Sequence, residues 1–92
     1  MADRVIFDKV RKMLRKLPEF IVVKLRKWAR DVEKLGLEEI RKIPGYHDEP
    51  LQGPRRGQRS IRLSREYRAI YIVSTQGAIR IISVEEVHKH DY

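Results

Sequence analysis

Cysteine is absent from the 92-residue chain. That excludes disulfides and thiolate chemistry and suits a reducing cytoplasm. Long apolar runs are missing too. Phe20 to Val23 is far too short to span a bilayer, and the opening "MADRVIFDKV" lacks the apolar core of a signal peptide. No glycine-rich phosphate loop, no serine in an elbow motif and no compact zinc signature occurs. There are no repeats or low-complexity segments. These absences predict a soluble, cytoplasmic protein with no membrane partner and no metal or other cofactor. They leave little support for an enzyme acting on small metabolites.

Acid is scarce relative to base. Thirteen Asp and Glu stand against 21 Lys and Arg, for a net charge of +8. Such an imbalance speaks to partners: nucleic acid, an anionic membrane surface or an acidic protein, with a merely solvated basic surface as the plain alternative. At 41% hydrophobic the chain has enough apolar content to fold, and its length suits a single domain over residues 1–92.

The pattern divides into a helical first half, a Pro/Gly-rich connection and a strand-rich second half. Arg4 to Phe7 reads as a short opening strand, although Ile6, Val10, Met13, Leu14 and Leu17 also keep helical spacing; Asp8 is placed to cap a helix over Lys9 to Lys16. Pro18 suits the first turn of a second helix. Its apolar stripe is Ile21, Leu25, Trp28, Ala29, Val32 and Leu35, closed by Gly36. Leu37, Ile40 and Ile43 suggest one or two further turns. Residues 44–57 hold three of the four prolines and three of the five glycines, too many for a helix or a central strand. Strands follow at about Arg59 to Ser64, Tyr67 to Ser74 and Ala78 to Val84, with Gly77 in the last turn. Short connections make them an antiparallel meander. The expected fold is α+β, in the order β-α-α-β-β-β, with a helical hairpin on one face of a small, mainly antiparallel sheet and the other face open.

Onto that sheet the chain crowds six arginines, at 55, 56, 59, 62, 65 and 68. Ile61 and Leu63 alternate with Ser60, Arg62 and Ser64, which directs Arg62 and the serines to the open face. If Tyr67, Ala69 and Tyr71 face the helices, Arg68 lands beside Arg62. Guanidinium groups stay charged and offer forked donors to phosphate. Basic residues along strands also deter edge-to-edge aggregation, and spacing alone does not separate the two uses. The tail "VHKHDY" adds His88, His90, Asp91 and Tyr92. Phosphate-holding arginines plus groups that exchange protons near neutrality are what RNA cleavage needs. A frayed polar terminus is the plainer reading of those residues. His88 and His90, or His47, Asp48 and Glu49, match no metal-ligand spacing.

"LQGPRRGQRSIRLSREYRAIYIV", followed by a last strand and "VHKHDY", resembles the RelE/ParE toxin superfamily, and within it RelE- or HigB-like toxins. The resemblance rests on Leu51 and Gly53, Ile61 to Leu63, Tyr67 to Tyr71, and His88 to Tyr92. It implies the toxin of a type II toxin–antitoxin module that cleaves mRNA in the ribosomal A site by 2′-hydroxyl attack, without metal. Its partners would be a cognate antitoxin, the ribosome and mRNA. Carried over residue by residue, Arg62 and Arg68 would grip the scissile phosphate. His90 and Tyr92 would supply acid/base and stacking roles, with His88 as an alternate for the first. Arg55, Arg56, Arg59, Arg65, Ser60 and Ser64 would contact RNA. Two departures bear on those roles: Ser60 stands where some members have a basic residue, and histidines where many have an arginine before the tail. A ParE-like inhibitor of DNA gyrase would share the fold without the nuclease chemistry, and a non-catalytic basic nucleic-acid-binding module is the remaining alternative.

Overall fold

Aliphatic residues at alternate positions of the second half build a sheet, and the stripe of one long helix covers it. The structure, a computed structural model, describes residues 2–89. Five strands lie in the order β1-β5-β4-β3-β2. They are β1 Ala2–Ile6, β2 Glu49–Pro50, β3 Arg59–Arg62, β4 Tyr67–Gln76 and β5 Ile79–Lys89. Only β1 runs parallel to its neighbour, pairing with β5; the other pairs are antiparallel. The expected α+β fold and meander are present. The opening segment is a strand, and a two-residue strand, β2, emerges from the Pro/Gly-rich connection.

Between β1 and β2 run α1 (Arg11–Leu14), α2 (Glu19–Leu35) and α3 (Leu37–Arg41). The first helix is shorter than its spacing suggests. Asp8 does not cap it: Asp8–Val10 is a 3-10 turn, and the Asp8 carboxylate accepts from Arg11 instead. Pro18 is the N-cap of α2, outside its first turn, and its carbonyl accepts from Ile21 N–H at 3.0 Å. Gly36 ends α2 at φ +90°, a backbone angle that favours glycine, and its N–H bonds the Val32 carbonyl at 2.8 Å.

The α2 stripe buries Ile21, Leu25, Trp28, Ala29 and Val32. Leu35, in the last turn, is exposed, so the stripe stops one position earlier than its periodicity indicates. Ile43 likewise lies outside the core, while Leu37 and Ile40 lie within it. From the sheet come Val5, Ile61, Leu63, Ala69, Tyr71, Ile82, Val84 and Val87. Each such aliphatic side chain contributes about 1.5–3 kcal/mol when fully buried. The Trp28 and Tyr71 rings pack at 5.3 Å between centroids, tilted by 47°. Among the described residues no helix is long and apolar enough to cross a membrane.

One irregularity decides the site. Strand β5 continues to Lys89, five residues past the expected end at Val84, and it carries a bulge. Tyr71 stands opposite Val84, but Ile70 stands opposite Glu86, so Glu85 is the extra residue. Val84 and Val87 have opposite parity, yet both reach the core because the bulge resets the alternation. Without it the face of Ile82 and Val84 would also receive Glu86 and His88. With it, Glu86 and His88 face the open side.

Candidate active site

Register places three side chains in one row on the open face. Arg62 is directly opposite Arg68, and Arg68 directly opposite His88. Ala69 and Tyr71 point into the core, as Arg68's alignment with Arg62 requires. The side chain of Arg68 is 17% exposed. Its Nε donates to Ser60 Oγ at 2.6 Å, and its Nη2 donates to the His47 carbonyl at 3.2 Å and lies 3.7 Å from Glu49 Oε1. Among the described residues Arg62 uses only Nε, donating to the Ser64 carbonyl at 3.3 Å. Ser60 is buried and orients one arginine. Ser64 closes the β3–β4 turn, its hydroxyl accepting from the Glu66 and Tyr67 N–H groups at 3.2 Å.

The Pro/Gly-rich connection folds onto this face. Arg55 grips Glu86 with both terminal nitrogens, at 2.7 and 3.1 Å, and also donates to Gln58 at 3.0 Å. The Arg55 contact holds the Glu86 carboxyl below the usual glutamate range. A cleft of about 280 Å³ remains, lined by Glu49, Leu51, Arg55, Ser60, Arg68, Ile70 and His88. Its floor is the buried side chain of Ile70, and its rim is polar and cationic. Glu49, with its side chain 64% exposed, and His88 flank Arg68 from the β2 and β5 sides. A phosphate held by the arginines would sit within reach of two groups able to exchange a proton, a chemical capacity suited to phosphodiester cleavage.

Arg59 is placed elsewhere. It stands opposite Tyr71, on the helix side of the sheet, where its Nε donates to Asp48 Oδ1 at 2.6 Å. Burial opposes its charge, and the Asp48 contact more than offsets this, so its pKa is raised. The Asp48 side chain is 1% exposed and also accepts the Tyr71 hydroxyl at 2.5 Å. Arg56 is exposed on the connection, and Arg65 is exposed in the β3–β4 turn. The row thus brings together Arg62, Arg68 and His88, with Ser60 and Arg55 beside them; Arg59, Arg56 and Arg65 stand apart. His90 and Tyr92 lie outside the described residues.

Glu49 and Glu86 were not legible as members of this cleft. Glu86 meets Arg55 across 31 residues, and only the bulge turns it outward. Glu49 did carry a signal, as an exposed acid beside Pro50 in the one connection able to reach the sheet.

No family model matches the chain, and no curated protein matches it. Solved structures do resemble it. A YoeB/ParE toxin from Agrobacterium tumefaciens is 21% identical, with a TM-score of 0.66 over 99% of this chain and 100% of that one. A chain of the toxin–antitoxin complex RelBE2 from Mycobacterium tuberculosis is also 21% identical, with a TM-score of 0.68 over 98% of this chain and 100% of that one. YafQ from E. coli gives 0.67 at 19% identity, over 95% of this chain and 90% of that one. At such identities the likeness is one of backbone architecture, and it extends over essentially the whole chain: this protein has the fold of the RelE/ParE toxin superfamily.

Proposed function

We propose that the chain is the toxin of a type II toxin–antitoxin module and an endoribonuclease that cleaves mRNA on the ribosome by 2′-hydroxyl attack. The observation that carries this reading is the row Arg62–Arg68–His88, with Glu49 3.7 Å from Arg68: two neighbouring cations and two proton-exchanging groups that flank Arg68. Arg62 and Arg68 hold the non-bridging oxygens of one phosphate and offset the charge that grows on the phosphorane. Glu49 takes the 2′-hydroxyl proton, and the freed oxygen attacks phosphorus. The bond to the 5′ oxygen breaks as a histidine, His88 or His90 of the tail, returns a proton to it. The products are a 2′,3′-cyclic phosphate and a 5′-hydroxyl end, with atoms and charge conserved and no metal needed in any step.

The basic faces of the helices and the turn after α1, with exposed Lys12, Arg15, Lys16, Arg26 and Arg30, suit ribosomal RNA or an acidic antitoxin segment that folds on binding. Primer-extension mapping of mRNA 5′ ends after brief induction in a bacterial host tests the reading, with Arg68→Ala as the control. New ends within translated frames, absent in the variant, are the expected result. Growth arrest without new ends would move the function to gyrase inhibition, and neither effect from folded protein would leave a basic binding module.

A further inference from the structure

Strand β2 is the weakest held part of the cleft. It has two residues, lies at the sheet edge and contains a proline, which has no N–H to donate. Yet the segment 47–49 supplies two of the contacts that fix Arg68: the His47 carbonyl and the Glu49 carboxylate. His47 adopts a left-handed backbone, φ 45° and ψ 50°, uncommon for a non-glycine residue and held only where the surroundings impose it. Between these two residues sits Asp48, turned to the opposite side of the sheet. Its oxygens accept from Arg59 Nε at 2.6 Å and from the Tyr71 hydroxyl at 2.5 Å. Tyr71 is fully buried against Trp28, so Asp48 is tied to the core itself. A buried carboxylate with two donors is costly to release, since each donor left behind is also unpaired.

We infer that Asp48 is a positioning residue for the cleft: anchored to Tyr71 and Arg59 beneath the sheet, it sets the 47–49 segment above it and so orients Arg68 and Glu49 for the reaction. This rests on the nuclease reading for its functional consequence, though not for the coupling itself. Asp48 touches no part of the cleft, and its effect passes through the backbone of its two neighbours. A loss of its anchor shifts Glu49 and one support of Arg68 while leaving the charges on the open face in place. Binding of RNA would then survive and turnover would fall.

Two measurements on purified full-length Asp48→Asn test this. The first is single-turnover cleavage of a ribosome-bound mRNA. The expected loss is about 10- to 100-fold in rate, with the half-saturating concentration little changed. The second is hydrogen exchange at Arg68 Nη2, the nitrogen that donates to the His47 carbonyl, by ¹⁵N NMR, expected to lose protection. Asp3→Asn is the control, because Asp3 is an equally buried partner of Arg80 at the opposite, β1 edge. It should keep the cleavage rate and the Arg68 protection at temperatures below its melting point. Wild-type rate in Asp48→Asn, or an equal loss in both variants, overturns the inference. If the wild type cleaves nothing, the nuclease reading fails, and Arg68 exchange alone decides the coupling: retained protection in Asp48→Asn overturns it, and lost protection supports it. Should Asp48→Asn not fold, Tyr71→Phe, which removes one donor and keeps the ring, is expected to show the same effects in smaller measure, and unchanged rate and exchange would overturn the inference.

Discussion

Arg62 and Arg68 face each other directly across β3 and β4, two like charges in a cross-strand pair. Like charges opposite one another destabilise a sheet, and among the described residues the acid paired with Arg68, Glu49, is 3.7 Å away. A sheet selected only for stability would place a β-branched or acidic residue at one of these positions. Arg62→Thr is therefore expected to raise stability by about 0.2–1 kcal/mol, read as a higher urea midpoint at unchanged slope. On the nuclease reading, the same variant should bind RNA more weakly and with a shallower salt dependence, since that reading gives Arg62 one phosphate contact. A lower midpoint would mean that the pair is not repulsive in the folded protein.

Arg68→Lys keeps the charge and loses the fork. One ammonium cannot reproduce a geometry in which Nε meets Ser60 while Nη2 meets the His47 carbonyl. On the nuclease reading, cleavage should fall by at least about tenfold, while the salt dependence of RNA binding stays close to that of the wild type. Single-turnover cleavage and binding titrations at several salt concentrations separate the two effects. Equal cleavage by Arg68→Lys would reduce Arg68 to a point charge.

Alternation made the Arg62 side of this site legible. Ile61 and Leu63 alternate cleanly with Arg62, and the structure keeps that pattern. The His88 side was not legible by the same rule, because Glu85 breaks the period: a strict alternation continued from Ile82 and Val84 would bury His88. For the same reason the strand ran past its expected end, since "VEEVHK" alternates in neither parity. The helical half shows the converse limit. Spacing identified Ile21, Leu25, Trp28 and Val32 as core, but periodicity carries no information on where the covering surface ends, and Leu35 projects beyond it. Asp48 reads as a loop acid in the sequence. Its burial depends on two donors, Arg59 and Tyr71, that only the folded edge of the sheet brings to it.

At the far edge of the sheet, Arg80 joins Asp3 of β1 to Glu38 of α3. The Arg80 contact, helped by the backbone N–H of Glu38 itself, lowers Glu38 from about 4.5 to about 2; the same guanidinium, with the Leu37 N–H, lowers Asp3 against its burial. Both carboxylates bind protons less readily folded than unfolded. Their contribution is therefore whole above their ordinary pKa values and lost as pH falls from about 4.5 towards 2. Thermal melts between pH 6 and 2 should show this loss. Glu38 is mostly exposed, so Glu38→Gln is expected to cost no more than about 1 kcal/mol at neutral pH, and to flatten the acid limb. An acid limb unchanged in both Glu38→Gln and Asp3→Asn would place the acid sensitivity elsewhere.

Alkaline stability examines the opposite end of the molecule. Burial first, and then the Asp48 carboxylate, push the Tyr71 phenol from about 10 up to about 12, while Arg41 beside it pulls the other way. The folded chain thus keeps a proton that the unfolded chain gives up near pH 10. Stability from this group is whole below that pH and declines as pH rises towards about 12, by roughly 2–3 kcal/mol across the window. Tyr71→Phe has no phenol to ionise. It should lose about 1 kcal/mol or more at neutral pH, for the missing hydrogen bond and the unpaired Asp48 oxygen, and then decline less steeply than the wild type above pH 10. Tyr46, raised by its own burial, changes stability in the same direction but is present in both proteins, so the difference between them isolates Tyr71. Urea denaturation at pH 8, 10 and 11 measures that difference. Curves that run parallel across the three would show that folding does not hold the phenol's proton, through burial or through Asp48, and the link from the core through Asp48 to Arg68 would lose its first step.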